Sequence, residues 1–77
     1  MRKGLYMFRH DKRLSQAEMA EKIGCNRVTY AAIEIGKRDG RMMFWKRLQK
    51  AFGIPDADIG GLMRIDEEQP KNDRALD

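Results

Sequence analysis

Between residues 15 and 36 the chain spells out two short helices, each with its own start and stop and almost nothing between them. SQAE at 15–18 is a capping box. The Ser15 hydroxyl can accept from the backbone N–H of Glu18 while the Glu18 carboxylate reaches back to the N–H of Ser15. Gly24 can take the left-handed conformation that ends a helix, Asn26 is a strong N-cap for the next one, and Gly36 closes it. Two short helices with so tight a link must cross at a large angle and touch where side chains are small. Ala20, one turn before Gly24, permits that approach. Met19, Ile23, Cys25, Tyr30 and Ile33 supply apolar contacts at inward positions.

The rest of the chain is helical by the same criteria. Pro55 and Pro70 are the only prolines, so nothing interrupts helices before residue 54. β-branched residues are sparse and no run alternates with period two. A first helix is expected over residues 3–12, with Leu5 and Phe8 inward. A fourth is expected over 41–52, where Met42, Trp45, Leu48 and Phe52 recur at three- and four-residue spacing before Gly53. A short fifth over 56–63 is weakened by Gly60 and Gly61. The fold class is therefore all-α: a compact bundle of four to five short helices in one domain over residues 1–65. The segment DEEQPKNDRALD, residues 66–77, reads as an acidic, disordered tail.

Composition excludes several classes. Cys25 is the single cysteine and His10 the single histidine, so neither an intramolecular disulfide nor a metal-ligand set can form, and no cofactor is called for. Cys25 reads as a small hydrophobe in the turn and His10 as a surface residue. A lone thiol and an opening that does not read as a secretory signal favour a reducing cytoplasm. No apolar stretch approaches the roughly 20 residues of a membrane helix. No nucleophile–base pair and no phosphate-cradling glycine loop are present, so an enzyme is not expected.

The formal charge of +4 hides an asymmetry. Residues 1–54 carry thirteen Lys and Arg against five Asp and Glu, a net of +8, whereas residues 55–77 carry three against seven, a net of −4. A basic compact part with an acidic end suits a domain that binds a polyanion.

The crossed pair at 15–36 is a helix-turn-helix arrangement, in which the second helix is presented to the major groove of DNA. Its wording is specific. LSQAEMAEKIGCNRVTYAAIEIGKR, with the opening LSQ.E.A...G at 14–24 and IE.GKR at 33–38, resembles the phage-repressor type, the Cro/Xre-like helix-turn-helix family. Leu5, Phe8 and Arg9 match that family's first helix and LQKAFGI at 48–54 its fourth, so the resemblance covers about residues 5–60. It implies a lambda-repressor-like fold with its helix-turn-helix at 16–35, and a sequence-specific transcriptional regulator, a repressor or switch protein, acting as a homodimer on a palindromic operator. It also implies that Gln16 contacts the DNA backbone, and that Arg9 and Glu34 form a structural salt bridge. The chain departs from the family at Tyr30 (usually a β-branched aliphatic), Ile35 (often Asn), Gly40 (often Pro) and the apolar pair Met43 and Phe44.

Advancing about 100° per residue along the second helix of the pair puts Arg27, Val28, Ala31, Ala32 and Ile35 on one side and Tyr30 and Ile33 on the other. The first side is the reading face. Arg27 can bond guanine O6 and N7, while Val28, Ala31 and Ala32 can pack their methyls on thymine. The alternative is that the alanines are merely good helix formers facing solvent. Asn26, Lys37, Arg38 and Arg41 join Gln16 as expected phosphate contacts.

Met42, Met43, Phe44 and Trp45 cannot all face one core. With Met42 and Trp45 inward, Phe44, Ile59, Leu62 and Met63 form a candidate dimer contact, unless the fifth helix folds back over them. An alternative function is an antitoxin, binding DNA with the helix pair and a toxin through its C-terminal region.

Overall fold

The signals along the chain are realised as five helices: α1 (Lys3–Asp11), α2 (Gln16–Ile23), α3 (Arg27–Ile35), α4 (Met42–Phe52) and α5 (Asp56–Met63). The computed structural model describes residues 1–66, and among them there is no strand. The acidic tail beyond Asp66, and with it the toxin-binding role suggested for it, lies outside the described residues. The fold class is all-α, as the sequence predicts.

Glu18 N–H donates to Ser15 Oγ at 3.0 Å and Ser15 N–H to Glu18 Oε1 at 2.8 Å, which completes the capping box on α2. Gly24, Gly36 and Gly53 end α2, α3 and α4 in left-handed conformations. No glycine follows α1. There Arg13 itself turns left-handed, at φ 59°, and Leu14 N–H returns to the Arg9 carbonyl at 3.2 Å.

Leu5, Met19, Ala20, Ile23, Tyr30, Ile33, Phe44, Trp45 and Leu48 form the buried core, with Phe8, Leu14, Cys25, Phe52, Ile54, Ile59 and Leu62 packed against it. This corrects the reading of α4. Phe44 is buried, whereas Met42 and Met43 point outward, 73% and 59% exposed. Leu48 is the centre of the inward stripe, and Phe44 lies one turn before it on the same side. Phe44 packs beside Tyr30 and edge-on to Trp45, so it lies in the core and not on the exposed patch expected of it. The fold-back alternative describes α5: it packs on α1 and α4, placing Ile59 and Leu62 against the core and leaving Met63 of that group outward.

Gly60 and Gly61 do not prevent α5 from forming, because α1 meets it there. A Cβ on Gly4 would stand 2.5 Å from the carbonyl oxygen of Gly61, so the two helices touch backbone to backbone. Gly4→Ala should therefore lower stability by about 1–3 kcal/mol in urea denaturation, although alanine is the better helix former. A more stable variant would show that the helices are not held this close.

The chain ends of the domain are tied together. Asp66 N–H donates to the Met1 carbonyl at 2.9 Å, and Lys3 N–H donates to Asp66 Oδ2 at 2.8 Å. The Asp66 carboxylate thus caps α1, whose own N-cap residue, Arg2, offers no side-chain acceptor. Asp66 belongs to the folded part, one residue beyond the boundary that composition suggests.

Candidate nucleic-acid interface

α3 is held by one face. Asn26 Oδ1 accepts from Thr29 N–H at 2.7 Å to start it, and Gly24 and Cys25 N–H both donate to the Ala20 carbonyl to fix the turn before it. Tyr30, Ile33 and Glu34 are its buried residues. Arg27 and Val28 are exposed, Val28 by 65%, and Ala31, Ala32 and Ile35 are half-buried beside them. The face that the 100° reading assigns outward is the face left open.

Two clefts lie along α3. One, of about 520 Å³, joins Arg27, Val28, Ala31, Ala32 and Ile35 to Gln16 and Lys37. The other, of about 680 Å³, lies on the far side of α3, between Thr29 and the start of α4, and carries Arg38, Arg41 and Arg47. The expected phosphate contacts therefore fall on opposite flanks of α3, Gln16 and Lys37 on one and Arg38 and Arg41 on the other. Asn26 stands at the start of α3 with its Oδ1 committed to the cap.

Behind the strip lies a buried polar network centred on Glu34. Arg9 Nε donates to Glu34 Oε2 at 2.8 Å and Arg9 Nη2 to Oε1 at 3.2 Å, a two-pronged salt bridge. The Tyr30 hydroxyl donates to Oε2 at 2.7 Å, and Gln16 Nε2 donates to Oε1 at 3.0 Å. Burial alone would push the Glu34 carboxyl up; the bonds from Arg9, Tyr30 and Gln16 outweigh it and hold it below its ordinary value. Burial, with Glu34 beside it, pushes the Tyr30 phenol far up, so it stays a donor. This bond gives Tyr30, which departs from the pattern the resemblance sets, a role in the network. Gln16, expected on the DNA backbone, also has an inward partner that aims its amide.

Gly40 has a comparable explanation. At φ 80° it takes a conformation proline cannot adopt, and a Cβ there would stand 2.9 Å from Trp45 Nε1. The glycine lets the α3–α4 loop pass under the indole, whose N–H donates to the Asp39 carbonyl at 3.3 Å.

Two arginines escape sequence reasoning. Arg47 sits beside the α2–α3 turn, its Nη1 3.5 Å from the Gly24 carbonyl. Arg2 is buried, bonded to backbone carbonyls and stacked at 5.3 Å over Trp45. Arg2 and Arg9 thus account for two of the thirteen cations of residues 1–54 without adding to the basic surface. Burial pushes the Cys25 thiol up, which suits a turn hydrophobe rather than a reactive group. Among the described residues no cluster of His, Cys, Asp and Glu can hold a metal ion, and no helix is long and apolar enough to cross a membrane.

A capped helix, a glycine turn and a second helix packed against it, with one face of that second helix left open, define a helix-turn-helix domain. The chain belongs to the helix-turn-helix domain family, whose model matches residues 5–60. It is similar to an uncharacterized HTH-type transcriptional regulator of Methanocaldococcus jannaschii, 36% identical over 59 residues that make up 77% of this chain and 89% of that protein. No solved structure gives a significant match.

Proposed function

We propose that the chain is a sequence-specific double-stranded DNA-binding transcriptional regulator that reads the major groove with α3. The observation that carries this is the composition of the open face. Arg27, Val28, Ala31, Ala32 and Ile35 form a narrow strip with one long donor and several methyls, and cations stand on both flanks. Small residues mid-helix let the backbone sit deep in a groove. Arg27 bonds a guanine, and Val28, Ala31 and Ala32 contact thymine methyls. Gln16, Asn26, Lys37, Arg38 and Arg41 hold phosphates. The similarity to the HTH-type transcriptional regulator of Methanocaldococcus jannaschii supports the same reading. In this reading the protein is a repressor or switch protein, non-enzymatic and cytoplasmic. A homodimer sets two α3 helices about 34 Å apart on a palindromic operator.

Selection of bound sequences from a random DNA pool tests it. The wild type should return a site with two-fold symmetry. Arg27→Ala should lose about 1–3 kcal/mol of discrimination at one base pair per half-site and keep the rest of the motif. A pool that stays random after selection would end the proposal.

A further inference from the structure

We propose that Arg2 is a positioning residue for the α3–α4 loop. On the DNA reading above, the phosphate grip of Lys37, Arg38 and Arg41 then depends on an arginine that touches no DNA. The guanidinium is a planar fork of five N–H donors, and here it is spent on main-chain carbonyls from three parts of the fold. Nη1 donates to the carbonyls of Ile33 at 2.6 Å and Arg38 at 2.8 Å, Nη2 to that of Asp39 at 3.0 Å, and Nε to that of Met63 at 2.8 Å. The Arg2 backbone N–H adds a bond to the Glu34 carbonyl at 2.8 Å.

The end of α3, the loop and the end of α5 are thus clamped by one side chain. Its lid is the Trp45 ring, which shares the Asp39 carbonyl with it. With the carbonyls of residues 38 and 39 drawn inward, the side chains of Lys37, Arg38 and Arg41 are left exposed. The loop has few other anchors: Lys37 and Arg38 N–H donate to the Ala32 carbonyl, and Gly40 is left-handed. A lysine at position 2 keeps the charge but offers three donors on one atom, which cannot span carbonyls that diverge in this way.

Arg2→Lys is therefore the informative variant, since long-range attraction to DNA is unchanged. Hydrogen exchange at the Lys37 and Arg38 amides and at the indole N–H of Trp45, the chain's only tryptophan, should speed up at least about tenfold relative to amides of α2. The slope of log affinity against log salt should shrink by about 1–2, since each phosphate contact contributes about 0.9. Phe52→Leu, which disturbs the Phe8 contact away from the loop, should lower stability and leave the slope alone. Wild-type exchange rates and slope in Arg2→Lys would overturn the proposal.

A wild type whose DNA binding is insensitive to salt would instead sink the DNA reading, and the exchange measurement would still test the clamp. Should Arg2→Lys fail to fold, native-state exchange on the unmodified protein decides. The Trp45 indole N–H, which shares the Asp39 carbonyl with Arg2, and the Lys37 and Arg38 amides must exchange in one opening event. Loop amides that exchange while the indole N–H stays protected would refute the clamp.

Discussion

Glu34→Ala should destabilise the fold by about 3–5 kcal/mol, the range for a buried ion pair that loses one partner. Removing the carboxylate leaves the Arg9 guanidinium without its counter-charge, and the Tyr30 hydroxyl and Gln16 amide without the acceptor they share. Of its hydrogen bonds Arg9 keeps that to the Leu14 carbonyl, at 2.9 Å, beside its contact with the Tyr6 ring. In a domain this small the loss corresponds to a fall in melting temperature of more than about 12 °C. The effect should depend on acidity with a definite sign. Glu34 titrates below its ordinary value in the folded chain, so its contribution is complete above the ordinary carboxylate range and fades as pH falls through and beneath it. Thermal melts from neutral to acid pH should therefore bring the wild type and Glu34→Gln closer together at low pH. An unchanged melting temperature for Glu34→Ala would show that the network contributes nothing to stability.

The second large effect is on binding. In the proposed homodimer, Lys37, Arg38 and Arg41 would place three cations per protomer on the flanks of α3, six in all. Neutralising six phosphates gives a slope of log affinity against log salt of about −5. Affinity should then fall about a thousandfold between 50 and 200 mM salt, approximate conditions under which such counterion release is commonly read. A fluorescence-anisotropy titration on the selected operator measures it directly. A slope near zero would contradict phosphate contacts at these residues, and about half the slope would point to a single protomer on the DNA.

What could be read from the residues alone was whatever local chemistry decides. Ser15 with Glu18, Asn26, Gly24, Gly36 and Gly53 are start and stop signals that act within a few residues, and each does so in the structure. The division of α3 into an open and a buried face follows from helical period alone. α4 shows how that same argument goes astray. At about 100° per residue Phe44 lies about 40° from Leu48 and Met42 about 120° from it, so the period favours Phe44. A stripe begun at the first apolar residue of the run put Met42 inward instead.

Arg2, Asp66 and the meeting of Gly4 with Gly61 left no signal of this kind. Each acts on a partner about sixty residues away, and a charged or small residue looks the same in sequence whether it faces water or a distant carbonyl. The Glu34 partnership with Arg9 came through family resemblance. The part played by Tyr30 needed the geometry.

The division of α3 also bears on how such a protein can be retargeted. Tyr30, Ile33 and Glu34 hold the helix in place, while Arg27, Val28, Ala31 and Ala32 make none of the side-chain hydrogen bonds that bind it to the rest of the fold. On the proposed DNA reading, scaffold and reader occupy the same nine residues yet share almost no side chains. On that reading, a library varied at those outward positions would explore new operators while the residues of the Glu34 network stay in place, so a change of target need not begin with a change of core.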